Sequence, residues 1–392
     1  MSKAGGWAAR VDAGTPASRD RTVDALRALA IVGVVLGHWL VSAVVRDPGG
    51  VGAVHGDSPL VYRPGLAPVS WGLQSLGPFF FAGGFAAALG ARGRRAWPWL
   101  RGRAVRLGVP VVAMGAVWAA GGWLLGVVGA PYSTRHLVRS LVTHPLWFLL
   151  VYLVLTALTP VLRMAVARVG AWAAVPPLLV VAAVDAVRAS EAPPGWVVGL
   201  DAVAGWAVPY VLGVALAGGR LSGRAGVPLM GAGVAGGAVL VVAAGYPVSA
   251  VGVPGVGWSN LDPPSLFAMA LAAVQVGAFL WLRPRLARAL RRPAVWAPVV
   301  VLNLVAMTVY CWHQSALLLV TFAGLPFGAP AGLLDAPDGG WPLARLGWLP
   351  VFAGVLAVLC LVFHRFENGR EMSSARPYGR TGGTSATDEE RR

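Results

Sequence analysis

An arginine and a histidine eleven residues apart, Arg27 and His38, sit in the first long apolar stretch of this chain. A helix turns about 100° per residue, so this spacing brings both onto nearly one face, about 16 Å apart along the axis. An imidazole can act as a general base near neutral pH, and a guanidinium can orient or neutralise an anion. Asp24, one turn before Arg27, is spaced to pair with it. A snorkelling arginine and a histidine satisfied between helices would carry the same letters. Ionisable groups within apolar spans are costly, however, which makes them functional candidates by default.

A second polar stripe lies near the other end of the chain. Asn303, Tyr310 and Gln314 fall on nearly one helix face, with His313 beside them. Such a stripe should face a cavity or another helix. Arg103 and Arg106, one turn apart, can grip phosphates bidentately, although arginines at that place also act as a topological signal. Trp147, after His144 and Pro145, is a substrate contact or an interface anchor. Asn260 and Asp262, in a proline-containing loop, either meet an acceptor hydroxyl or cap the next helix. The two cysteines, Cys311 and Cys360, provide neither metal spacing nor a disulfide framework, and no metal site is expected.

The elements that position these residues follow from composition. Of 392 residues 57% are hydrophobic and only 12% charged, with a mean hydropathy of +0.67. That excludes a set of soluble domains and predicts an all-α polytopic membrane bundle. Ten spans are expected, at about 25–45, 68–90, 105–128, 145–163, 172–188, 197–217, 227–246, 265–283, 298–322 and 343–364. The first is too long for a signal peptide and lacks a cleavage pattern. Lys and Arg are distributed 25 to 6 between alternate sides, the six being Arg46, Arg63, Arg135, Arg139, Arg188 and Arg345. The positive-inside rule then puts both termini in the cytoplasm of a cell membrane. The net charge of +16 follows this distribution, and no nucleic-acid motif accompanies it. Residues 1–20 and 367–392 are expected to be disordered cytoplasmic tails around a membrane domain at 21–366. A single lysine among many arginines, with abundant Ala, Gly and Val, points to a GC-rich bacterial genome, of actinobacterial type.

Taken together these residues resemble membrane acyltransferase family 3, the ten-span bacterial acyltransferases. The resemblance covers roughly residues 20–366. It is carried by Arg27 through His38, the aromatic-Gly-Phe run at 79–85, Arg103-x-x-Arg106, Leu146-Trp147-Phe148-Leu149 and Tyr310-Cys-Trp-His313. Many members have a serine where this chain has Gly83, so a serine ester at that position is excluded here. The resemblance implies transfer of an acyl group, expected to be acetyl, from acyl-CoA to a hydroxyl of a sugar, envelope polymer or natural product. His38 would then be general base, Arg27 would orient the donor or offset developing negative charge, and Asp24 would hold Arg27. Arg103 and Arg106 would meet the donor's phosphates. Trp147, Asn260, Tyr310, His313 and Gln314 would meet substrate. No tightly bound cofactor is expected. A transporter or flippase of a lipid or small molecule would also need many spans and intramembrane charges, but no inverted repeat is visible.

Overall fold

Without water in a bilayer core each span must satisfy its own backbone, which leaves helices as the solution for apolar runs of this kind. The computed structural model describes residues 3–48, 52–189 and 192–368. The chain runs through α1 (Lys3–Ala13), α2 (Arg21–Val41), the strands β1 (Ala43–Arg46) and β2 (Val54–Asp57), and the short helices α3 (Pro59–Tyr62) and α4 (Val69–Leu73). There follow α5 (Leu76–Gly90), α6 (Ala96–Val127), α7 (Tyr132–Thr143), α8 (Trp147–Val169), α9 (Val175–Arg188), α10 (Gly195–Ala217) and α11 (Gly226–Val242). The last elements are α12 (Leu266–Ala289), α13 (Pro293–Leu304), α14 (Ala306–Gly324), α15 (Trp341–Phe363) and α16 (Arg365–Asn368). The chain is thus an all-α, multi-pass membrane protein with one two-stranded antiparallel ribbon, in which Ala43 faces Asp57 and Arg46 faces Val54.

Among the described residues eight helical stretches are long and apolar enough to cross a bilayer, or nine when the bent pair α13 and α14 counts as one. One of the eight, Tyr132–Arg188, has 57 residues. Straight, it would run about 85 Å, far beyond a hydrocarbon core of about 30 Å. It reverses instead at Gly170, whose φ of +63° suits a residue without Cβ. Its two halves return to one loop: His144 lies 3.9 Å from Asp262, and Arg188 donates to the carbonyls of Ser259 (3.1 Å) and Pro263 (3.3 Å). Counted as two passes, α8 and α9, the stretch brings the total to ten, although α9 with 14 residues is short for a crossing.

Glycine fixes the centre of the bundle. A Cβ at Gly84 would lie 2.0 Å from the Tyr210 carbonyl oxygen, and one at Gly213 would lie 1.9 Å from that of Phe81. The backbones of α5 and α10 therefore touch where only glycine permits it. Phe80 stacks on Trp206 beside this crossing, with centroids 5.2 Å apart.

Four expectations about the elements change. Residues 3–13 form a helix where a disordered tail was expected. Val11 packs with Ala25, Leu290 and Trp296, Arg21 donates to Asp12 at 2.6 Å, and Trp296 Nε1 donates to Thr15 at 2.8 Å. Burial of an apolar face outweighs the polar composition there. At the other end Glu367 belongs to α16, not to a loose tail; residues 369–392 lie outside the described residues. The first span stops at Val41 and not near residue 45, because Ser42 turns into β1, so His38 sits in the last helical turn. The ninth span is broken by 75° at Val305, which separates Asn303 from the stripe of Tyr310 and Gln314.

Candidate functional site

Asp20 starts α2 by accepting from the Thr22 and Val23 amides at 3.0 and 3.2 Å, and Arg283 anchors its other oxygen. Burial pushes the Asp20 carboxyl up, but the Thr22 hydroxyl, Arg283 and the Val23 amide more than offset this and hold it below the usual range. From this fixed end α2 carries Arg27 and His38 to two separate sites.

At the lower site Arg27 Nε donates to Asn303 Oδ1, while Asn303 Nδ2 donates to the carbonyls of Asp24 (2.9 Å) and Val299 (2.8 Å). Asp24 approaches Arg27 only at 4.0 Å; its close partner is Arg19, whose Nε donates to it. The expected Asp24–Arg27 pair is therefore weak, and the amide of Asn303 does the holding. The helix break beyond Asn303 opens the first turn of α14, whose amides lack intrahelical partners. Glu367 fills that need: its carboxylate accepts from the amides of Met307 (3.1 Å) and Thr308 (3.0 Å) and from the Thr308 hydroxyl (2.8 Å). An anion at a helix N-terminus is favoured by the dipole as well.

At the upper site the imidazoles of His38 and His313 meet, with centroids 5.0 Å apart. Gln314 Nε2 lies 3.0 Å from His38 Nδ1. His313 Nδ1 lies 2.6 Å from the Tyr310 carbonyl. A carbonyl only accepts, so the proton of a neutral His313 is on Nδ1 and its Nε2 is bare. That Nε2 and the Oε1 of Gln314 are buried with no hydrogen-bond partner. Trp39 Nε1 donates to the His313 carbonyl at 2.9 Å and locks α2 against α14 at this level. Tyr310 is spent on structure: its hydroxyl donates to the Pro145 carbonyl, and its ring meets Phe148 edge-on at 4.6 Å. Trp147, one residue before, packs half-buried against the apolar core.

Three further predicted residues fare differently. Asn260 is wholly buried and fully used: Nδ2 donates to the carbonyls of Pro247 (2.7 Å) and Ser249 (2.8 Å), and Oδ1 accepts from Ser265 at 2.7 Å. It clamps its loop, with both amide protons committed to carbonyls. Arg103 turns inward, donating to the Ala86 carbonyl at 3.3 Å and lying over Trp99, whereas Arg106 is exposed. The Gly83 position is also explained. A Cβ there would sit 2.5 Å from Cε2 of Tyr152, so the Tyr152 ring occupies the room a serine would need.

Sequence reasoning missed three residues. Arg345, counted only as a loop charge, is fully buried between Trp341 and Phe352. It donates to the carbonyls of Trp39 (2.7 Å), Gly332 (3.0 Å) and Ser42 (3.0 Å), which pins the end of α2 just past His38. Glu367 carried one signal, an isolated acid after the last span. Asp201, six residues into α10, was visible as an intramembrane acid; it is buried with both oxygens unpartnered.

A multi-pass bundle that brings two imidazoles together, one of them with an unpaired Nε2, has the makings of a membrane-embedded transferase. The family model described as acyltransferase domain, acyltransferase family 3, matches residues 20–364, and the chain belongs to that family. It is accordingly a membrane acyltransferase, with a lipid bilayer and an acceptor substrate as its surroundings. No curated protein and no solved structure matches it.

Proposed function

We propose that the protein transfers an acyl group, acetyl foremost, from acyl-CoA to a hydroxyl of a carbohydrate, envelope polymer or natural product. The observation that carries this reading is the upper site: a half-buried His38 against a buried His313 whose Nε2 has no partner. Buried polar atoms are normally paired, and exceptions call for a ligand or a role. A hydroxyl donated into this cluster supplies what is missing.

His38 takes the proton of that hydroxyl as it attacks the thioester carbon. The tetrahedral intermediate then expels the thiolate, the C–S bond breaks, and the imidazolium returns the proton to sulfur. The role requires a bare Nε2 on His38. Amide oxygen and nitrogen are interchangeable by a half-turn. With Gln314 turned so that Oε1 accepts from Nδ1–H, the tautomer is the required one. His313 favours a second assignment, because its bare Nε2 is already fixed by the Tyr310 carbonyl.

Arg27, about 16 Å below His38, is too far to meet the same carbonyl. It orients the donor's arm instead, held by Asn303. Donor phosphates meet Arg103 and Arg106 on the arginine-rich side, which the charge asymmetry makes cytoplasmic in a cell membrane. The acceptor comes from the opposite side. Purified protein in nanodiscs given acyl-labelled acetyl-CoA should release CoA thiol and label an added hydroxyl acceptor. A protein that moves a lipid or small molecule across liposomes and never consumes acyl-CoA would instead be the transporter alternative.

A further inference from the structure

The ends of α5, α8 and α10 on the arginine-rich side surround a cavity of about 220 Å³, lined by Arg92, Arg163 and Arg220 together with Ala88, Val166 and Val214. Arginines near a bilayer surface need no special reason, since topology and snorkelling account for them. Their arrangement here does. Arg92 is held by the Ala217 carbonyl at 2.6 Å and Arg220 by the Ala167 carbonyl at 3.1 Å, so both are fixed rather than free to splay into solvent. Each bond uses one of five guanidinium donors and leaves the rest available. Arg163 makes no hydrogen bond or ion pair with any described residue.

Among the described residues no carboxylate pairs with this cluster. No Asp or Glu occurs between Asp57 and Asp185, nor between Asp201 and Asp262, and every lining residue falls within those two intervals. Three like charges converging on one cavity repel each other unless an anion enters. A tetrahedral oxyanion with several acceptor oxygens fits planar forks approaching from α8 and from the turns after α5 and α10.

We propose that this cavity binds a phosphate group, carried by an anionic lipid headgroup or by a free phosphate. It is separate from the transfer site: Arg103 meets α5 at the Ala86 carbonyl and does not line this cavity, so the inference stands without the acyl-transfer reading.

The test uses the full chain in phosphatidylcholine nanodiscs. One arm adds phosphatidylglycerol and reads retained lipid by native mass spectrometry. The other titrates inorganic phosphate at constant ionic strength, with chloride as control, and reads thermal stability. Arg163→Gln is the decisive variant, because Arg163 bonds to no described residue, so its loss removes no bond that holds the fold. Binding of one probe should weaken about tenfold or more in this variant, as removal of a charge-assisted fork predicts. A response confined to phosphatidylglycerol assigns the lipid source, and one to inorganic phosphate assigns the free ion. Should the glutamine variant misfold, Arg163→Lys keeps the charge, loses the fork and should still bind several-fold more weakly. Binding of both probes unchanged by these substitutions, or binding of neither, overturns the proposal.

Discussion

Two buried polar clusters in this molecule look alike in sequence and differ in one respect. Around Asn260 every side-chain donor and acceptor is paired, with Pro247, Ser249 and Ser265. Around His38 the acceptors of His313 and Gln314 are left over. A satisfied cluster rigidifies a loop; an unsatisfied one awaits a partner. The residue types, histidine, glutamine and asparagine, do not separate these cases, and the count of leftover atoms does.

Substitutions can break this contrast. Asn260→Ala leaves two carbonyls and a hydroxyl unpaired and should cost about 3 kcal/mol or more of stability, read as a lowered Tm, while transfer per folded molecule stays the same. Loss of transfer at unchanged Tm would put Asn260 with the active cluster after all. Gly83→Ser forces Tyr152 aside and should cost about 1–3 kcal/mol; the penalty should shrink in a Tyr152→Leu background, as a double-mutant cycle will show. Gln314→Leu should do the opposite of Asn260→Ala. Its single bond, to His38, costs only about 1 kcal/mol when lost, so Tm moves little, while kcat falls about tenfold as His38 loses its tautomer control. An unchanged kcat would strip Gln314 of that part.

The smallest effect concerns pH at the foot of α2. The folded-state pKa of Asp20 lies below its unfolded value, so its cap stabilises fully at neutral pH and is lost as pH falls below about 4. Asp20→Ala should lower stability at pH 7 by about 1 kcal/mol, and wild type and variant should converge in Tm toward pH 3. Parallel Tm curves across that range would show that the cap carries no charge-dependent part.

Much of the fold was legible because lipid-facing helices write long apolar runs, and the arginine–histidine spacing survives any error in span boundaries. The bend at Val305 was not legible. The group that satisfies the amides it frees is a carboxylate from beyond the last span, Glu367, reaching Met307 and Thr308. The order of α1 escaped for a similar reason, since Trp296 and Leu290, far along the chain, supply its apolar support. At the site, the sequence showed that His38 and His313 are polar residues in apolar helices. Their meeting depends on Trp39 and Arg345, which clamp α2 to α14 and to the loop before α15. Asp24 illustrates the limit of spacing arguments: i,i+3 placement permits a pair with Arg27, yet Arg19 lies closer.

The most direct measurement is single-turnover acyl transfer by His38→Ala in nanodiscs, with the size-exclusion profile and Tm as folding controls. His38 as general base predicts a folded variant whose transfer step is slower by about 10²–10⁴-fold, with donor binding little changed. A folded His38→Ala protein that transfers at close to the wild-type rate would contradict this and move the base to His313.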